Sequence, residues 1–445
     1  MIRMLPGAVK KLVSRKESRS TLGETKFSVT KELQYEYSRP SILGTLSPHA
    51  VELISSNSTR VVICPTKPSS LPGSAGYAEV VNAGKSKTSE DQSVAIEHTL
   101  DDKYKYTLFA VYDGHGGNGT SLKLAHELHV VIYQALQDIL PEIEDAIVRE
   151  KHPEPEEKDD YEDFEELNAR PFTPSLEELI SGTLESCFWV MDSIILHDKG
   201  SYKITGGSTA LMAFFMFDRT WIVNSGDSRA VLYRKDNDFL AEPLSFDFTP
   251  ESDRRRIQEI AFHKPHLLKQ AKTGEQIFSR LQFSRKLTKD DIGKQVLYRD
   301  FYMSGWGLKV IINIIIIIFI IIITRSLGDY ELIHRSSLCN MKEFLTPQPE
   351  VRLWKPTQEM SKEDVIVIAT DGMWDVVTNK EAGDIVRQQA TQGEIVYTNL
   401  AKRLVERARG ERKDGFWEKE DGNLASGDDI SVFVIPIHKF MSFKK

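Results

Sequence analysis

Two apolar runs in this chain end abruptly on aspartate. Leu108-Phe109-Ala110-Val111-Tyr112 runs into Asp113, and Val365-Ile366-Val367-Ile368-Ala369-Thr370 runs into Asp371. Short continuous apolar runs of this kind predict strands buried on both faces, so each carboxylate is expected at the end of a buried strand. Between the two runs the pattern predicts a long helix over 119–140 and a second over about 175–197. Strands follow at 208–217, 220–224 and 230–234. Successive short strands joined by turns suggest antiparallel sheets with the long helices packed outside them.

Ordered patterning starts near Tyr77. From about Ser18 to Gly76 the chain is polar and broken by Pro40, Pro48, Pro65, Pro68 and Pro72, which predicts an extended lead-in with one strand at 60–64. The organisation expected is an N-terminal extension over 1–76, one catalytic domain over 77–437 and a tail over 438–445. In residues 1–16, Leu5, Ala8, Val9, Leu12 and Val13 follow helical spacing, accompanied by Lys10, Lys11, Arg15 and Lys16. This fits a basic amphipathic anchor on an anionic membrane surface. A disordered basic tail fits as well, and a mitochondrial presequence competes, because the first acidic residue is Glu17. The acidic block at about 152–170 is expected as a solvated surface insertion, since like charges repel; a metal-binding acidic tail is the alternative.

Residues 310–323 are almost all isoleucine. The run is too short for a transmembrane helix, which needs about 20 apolar residues. Isoleucine is stiff at χ1 and prefers strands, so one buried strand with a sticky apolar remainder is expected. Translation of an A/T-rich intron, with repeated ATT codons, is the competing origin of the run.

Composition narrows the class. A chain of 445 residues with 40% hydrophobic and 27% charged residues matches an ordinary globular protein. The net charge of −8 argues against nucleic acid as partner. Cys64, Cys187 and Cys339 are far apart and form no CxxC pair, which makes a zinc site or disulfide framework unexpected and a reducing compartment the default. No apolar core with a small-residue cleavage site marks a signal peptide. The expected location is cytoplasmic, with association at a Golgi or other membrane surface left open and mitochondrial import as the competitor.

Six acidic or glycine-flanked pieces carry the chemistry: Glu90-Asp91, Asp113-Gly114-His115-Gly116-Gly117, Gly226-Asp227-Ser228-Arg229, Thr324-Arg325-Ser326-Leu327-Gly328-Asp329, Asp371-Gly372-Met373-Trp374-Asp375 and Gly427-Asp428-Asp429. Carboxylates gathered from separate strand ends suit hard divalent cations such as Mg²⁺ and Mn²⁺. Each piece alone is weak. Asp-Gly is a common turn dipeptide, a lone His115 reads as a satisfied histidine, Asp227 as a turn cap and Trp374 as core. Their joint occurrence in order is what carries weight.

Together these motifs, over roughly 77–437, resemble the metal-dependent type 2C Ser/Thr protein phosphatases. Asn82-Ala-Gly-Lys-Ser, Leu297-Tyr-Arg-Asp-Phe and Gly305-Trp306 resemble the animal subgroup designated H, J and M. The resemblance implies a four-layer α-β-β-α sandwich, its two mostly antiparallel sheets flanked by helices, with a metal centre at one end of the sheets. It implies two Mg²⁺ or Mn²⁺ ions, with a third, weaker site. Asp113 would bridge both ions, the Gly114 carbonyl would ligate one, and Asp371 and Asp428 the other. Glu90 and Asp91 would hold metal-bound waters, Asp91 as part of the metal site and Glu90 behind it. Asp227 and Asp375 match the third site, His115 the general acid, and Asp329 a support of the loop beside the site. Many relatives place an arginine before the Glu-Asp pair to grip phosphate; here Lys85 and Lys87 stand in that region, as point charges without the bidentate fork.

The chemistry is consistent with this. Two cations about 3.5–4 Å apart lower the pKa of a bridging water and offset charge in an in-line displacement, and a poor alkoxide leaving group needs a proton from a group such as histidine. The leading reading is hydrolysis of phosphoserine and phosphothreonine in proteins, with phosphorylated Rab-type small GTPases suggested by the subgroup. A pseudophosphatase or scaffold impaired by the 310–323 segment is the alternative. A metal-dependent nuclease fits the ions but not the acidic balance.

Overall fold

The computed structural model describes residues 60–65, 71–83, 89–152, 173–199, 204–268, 278–280, 306–312, 318–321, 323–334, 340–413 and 416–442. The strands of its two large sheets are, in chain order, β1 (Gly76–Val80), β2 (Gln92–Leu100), β3 (Tyr104–Tyr112), β4 (Ala210–Met216), β5 (Arg219–Ser225), β6 (Arg229–Tyr233), β7 (Ala241–Pro243), β8 (Glu350–Trp354), β9 (Val365–Ala369) and β10 (Ile430–Pro436). The helices are α1 (Gly119–Asp138), α2 (Leu140–Lys151), α3 (Leu176–Asp198), α4 (Arg254–His263), α5 (Asp371–Trp374), α6 (Asn379–Thr391) and α7 (Tyr397–Arg409).

One sheet has the order β1-β10-β9-β6-β7 and the other β8-β5-β4-β3-β2. Every neighbouring pair in both is antiparallel. The strand sequences explain the layers. Along β3, Tyr106, Leu108, Ala110 and Tyr112 face helices α1 and α3, while Phe109 and Val111 face the other sheet. Along β9, Val365, Val367 and Ala369 face α6 and α7, while Ile366 and Ile368 turn inward. Side chains alternate with period two, so a strand covered on both faces reads as an unbroken apolar run. The result is the expected four-layer α-β-β-α sandwich with three apolar cores, one between each pair of layers. Helix α3 begins where expected because Ser175 and Glu178 cap it reciprocally.

Several details differ from the sequence reading. No strand forms at 60–64; Ile63 makes a single bridge to Glu79. The ordered body also exceeds both expected ends. Arg60, Leu71 and Ala75 are buried ahead of Tyr77, and Met441 is buried beyond Ile437. The isoleucine-rich stretch contributes to two strands instead of one: Trp306–Ile312 pairs antiparallel with Ile318–Ile321, and also with Phe278–Arg280 and Leu332–His334. A run this long exceeds the usual strand of about five to six residues, and pairing with itself satisfies backbone groups that one strand would leave open. Residues 1–16, Lys85, Lys87, Cys339 and the acidic block from 153 onward lie outside the described residues.

Candidate metal centre

The aspartates converge at one end of the sheets because each follows or precedes a strand of the two large sheets. Asp113 follows β3, Asp227 follows β5, Asp371 follows β9 and opens α5, Asp91 precedes β2, and Asp428 and Asp429 precede β10. One carboxylate oxygen from each of Asp113, Asp227 and Asp371 lies within 4.8 Å of the others. Asp227 and Asp371 are buried. The backbone at Asp113 is pinned to Thr209: its amide donates to Thr209 Oγ1 at 3.3 Å, and its carbonyl accepts from the Thr209 amide at 2.9 Å.

A second carboxylate group adjoins the first. Burial pushes the Asp91 carboxyl well above the usual range, and the negative charges of Asp113, Asp429 and Asp428 push it further; only the Thr370 hydroxyl, donating to Oδ2 at 2.9 Å, opposes them. Asp113 therefore stands where the two groups meet. Burial and the neighbouring Asp428 likewise lift Asp429 to about 7, against hydrogen bonds from Glu90 and Asn82. Crowded buried carboxylates raise one another's pKa unless a cation offsets the charge. Their donor atoms are all oxygens, the set preferred by Mg²⁺ and Mn²⁺, so the residues present fit a divalent cation.

Gly114 and His115 form a two-residue strand against Gly207–Ser208, which pairs in turn with Leu327–Gly328. A Cβ on Gly114 would run into the Glu90 carbonyl and the Ser121 hydroxyl, so only glycine lets the backbone pack this closely against them. Glu90 itself is committed locally: Oε1 accepts from the Gly117 amide at 2.6 Å and its carbonyl from Ser121 Oγ at 2.6 Å. His115 Nε2 lies 2.9 Å from both carboxylate oxygens of Asp329. Burial pulls the imidazole pKa down, but Asp329, with Asp113 and Glu90 behind it, outweighs this and lifts it to about 8. Asp329 is fixed in turn by the Ser326 hydroxyl at 2.5 Å, and its amide donates to the Gly206 carbonyl at 3.0 Å. The loop support expected of Asp329 is thus a direct hold on His115.

The six motifs meet. Asp227, expected at a third site with Asp375, brings a carboxylate oxygen within 4.8 Å of those of Asp113 and Asp371, and the charge of Asp375 acts on the Arg229 guanidinium. Arg229 is held by Asp247 and Asn379. Trp374 is buried core, its ring N–H donating to the Arg229 carbonyl. Two residues of this site were given no role by the sequence reading. Asp429 accepts from the Asn82 amide at 2.8 Å, from Asn82 Nδ2 and from the Glu90 amide at 3.0 Å, tying the β1–β2 connection to the β10 end. Its adjacency to Asp428 was the available signal. Asp192 of α3 accepts from the Gly328 amide at 2.9 Å, the Tyr330 hydroxyl at 2.6 Å and Lys342 at 2.8 Å. Nothing local marks it, because its partners lie some 140 positions away in sequence.

The protein phosphatase 2C family model matches residues 76–295 and 308–413. The chain belongs to the protein phosphatase 2C family. Its relatives include protein phosphatase 1H of Xenopus tropicalis, 32% identical over 91% of this chain and 92% of that one. Human protein phosphatase 1M is 33% identical over 90% and 92%, and mouse protein phosphatase 1J is 32% identical over 92% and 87%. These names agree with the H, J and M resemblance. Among solved structures, a serine-threonine phosphatase 2C from Toxoplasma gondii matches with a TM-score of 0.45 and 17% identity over 84% of this chain and 98% of that one. As a member of this family the chain is a protein serine/threonine phosphatase, of a kind that is metal-dependent and acts on phosphoproteins.

Proposed function

We propose that this phosphatase hydrolyses phosphoserine and phosphothreonine esters at the carboxylate centre, with two divalent cations held by Asp113, the Gly114 carbonyl, Asp371 and Asp428. Asp91 and Glu90 order the surrounding water, and Asp227 extends the centre towards a third cation. When bound, Mg²⁺ or Mn²⁺ supplies a water of lowered pKa and offsets charge on the phosphoryl oxygens. The chain's own residues do the rest. Asp113 lies at the junction of both carboxylate groups, which is the single observation that best supports a shared ligand. His115, two residues on, holds a proton near neutrality because Asp329 favours its charged form, which suits it to protonate the departing serine or threonine oxygen. Asp329 also fixes the ring's orientation.

Lys85 and Lys87 remain the candidates for gripping substrate phosphate. Phosphorylated Rab-type small GTPases are the protein substrates to assay first, on the strength of the subgroup resemblance. Contact of residues 1–16 with a membrane surface rests on their sequence pattern alone. A catalytically silent scaffold has no observation in its favour among the described residues, where every candidate ligand keeps its carboxylate.

The test is phosphate release from phosphothreonine and phosphoserine peptides with Mn²⁺, with Mg²⁺ and with EDTA, beside a nucleic-acid cleavage assay. Metal-dependent peptide turnover without nuclease activity is expected. Turnover that survives EDTA, or nucleic-acid cleavage alone, overturns the reading.

A further inference from the structure

We propose that Arg60 is a positioning residue for the metal-binding loop, fixing Asp428 from a segment that the sequence places outside the catalytic domain. The inference rests on the assignment of Asp428 as a ligand made above. Arg60 is 3% exposed. Its Nε donates to the Val81 carbonyl at 2.9 Å, Nη1 to the Ser426 carbonyl at 2.5 Å and Nη2 to the Asp428 carbonyl at 2.5 Å. The guanidinium lies 5.2 Å from the centre of the Trp417 ring, and Arg409 Nη1 donates to the Arg60 carbonyl at 3.0 Å. The Arg60 backbone is left-handed, with φ of +43°. A non-glycine residue holds that conformation only where its surroundings over-determine it.

The loop needs such a hold. Residues 426–429 lie ahead of β10, outside its pairing with the neighbouring strands. Each of the four is gripped by a residue from the first ninety. Arg60 takes the Ser426 and Asp428 carbonyls, the Ala83 amide takes the Gly427 carbonyl at 3.0 Å, and Asn82 and Glu90 take the Asp429 carboxylate. Arg60 also holds Val81, the residue before Asn82. One side chain thus sets the spacing between both halves of the clamp. Only a planar guanidinium presents donors in the fork required to meet three carbonyls at once; a lysine ammonium is a single point. With the fork removed, Asp428 keeps its carboxylate but loses its fixed backbone.

The experiment is Mn²⁺ titration of the metal-free full-length chain by calorimetry, for the wild type, Arg60→Ala, Arg60→Lys and Asp428→Ala, with metal-free thermal melting as the folding check. Outer residues that orient ligands typically change metal affinity by about 10–100-fold. Both Arg60 variants are expected to bind Mn²⁺ about tenfold or more weakly, with kcat at saturating Mn²⁺ within about twofold of wild type. If Arg60→Ala does not melt cooperatively, Arg60→Lys, which keeps the charge and most of the bulk, decides. Wild-type Mn²⁺ affinity in a folded Arg60 variant overturns the proposal, as does a fall in kcat with affinity unchanged. Wild-type affinity in Asp428→Ala instead overturns the ligand assignment beneath it and takes this inference with it.

Discussion

His115 works, on this account, through a proton it must hold at working pH. Its ordinary value is 6.5 and its folded value about 8, so the folded state binds the proton more tightly. The stabilisation is therefore present in full below about pH 6.5 and is lost as pH rises through about 8. Asp329→Asn removes the main attraction and leaves the burial that opposes it. The melting temperature of the metal-free protein should then depend less on pH between about 6 and 9 than in wild type; an unchanged slope speaks against the pairing. The same proton makes a prediction about catalysis. His115→Gln should slow phosphoserine peptides by about 10²–10⁴-fold. It should slow p-nitrophenyl phosphate far less, since that leaving group is already a weak base. Equal losses on both substrates would exclude a specific acid role.

At the scale of elements, the three two-residue strands beside the site transmit position. Gly207 sits opposite both His115 and Gly328. A Cβ there would overlap the Asp329 carboxylate, so the strand admits no side chain without moving the group that holds His115. Gly207→Ala should cost about 1–3 kcal/mol of stability and should copy the leaving-group pattern of His115→Gln. Full phosphopeptide turnover in Gly207→Ala would show that Asp329 need not stay where it is. The strands carrying Asp113 and Asp371 were legible because both of their faces are buried, which leaves an uninterrupted apolar run. These two-residue strands were not. They are too short to show a period, and their pairing joins residues roughly 90 and 120 positions apart. The isoleucine-rich stretch misled for the opposite reason: one residue type repeated carries no sign of where one strand ends and the next begins.

At the scale of the whole molecule, the two sheets are joined by an aromatic core that includes a residue the sequence placed in a tail. Phe440 lies 5.5 Å from Phe109 and 4.8 Å from Phe215, ring centre to ring centre, and Phe109 lies 5.5 Å from Phe433. Phe440→Ala should destabilise the protein by about 2–4 kcal/mol in denaturant unfolding; a change under about 0.5 kcal/mol would remove Phe440 from the core. Arg60 makes the same point at the other end of the chain. Motif order reveals which carboxylates meet, because each motif advertises its own chemistry. The residues that hold the motifs, Arg60, Asp192 and Asp429, act through partners far away in sequence, and of the three only Asp429, beside Asp428, carries a local sign.

The central claim is that Asp113 joins two cations in one hydrolytic site. Its most direct test is Asp113→Ala, read by Mn²⁺ binding and by phosphopeptide turnover on the same sample, with metal-free melting as the control. The account predicts that Mn²⁺ binding is severely weakened and turnover lost while the fold survives, because Asp113 stands at a strand end and not in an apolar core. Near-normal Mn²⁺-dependent turnover in a folded Asp113→Ala protein would contradict it.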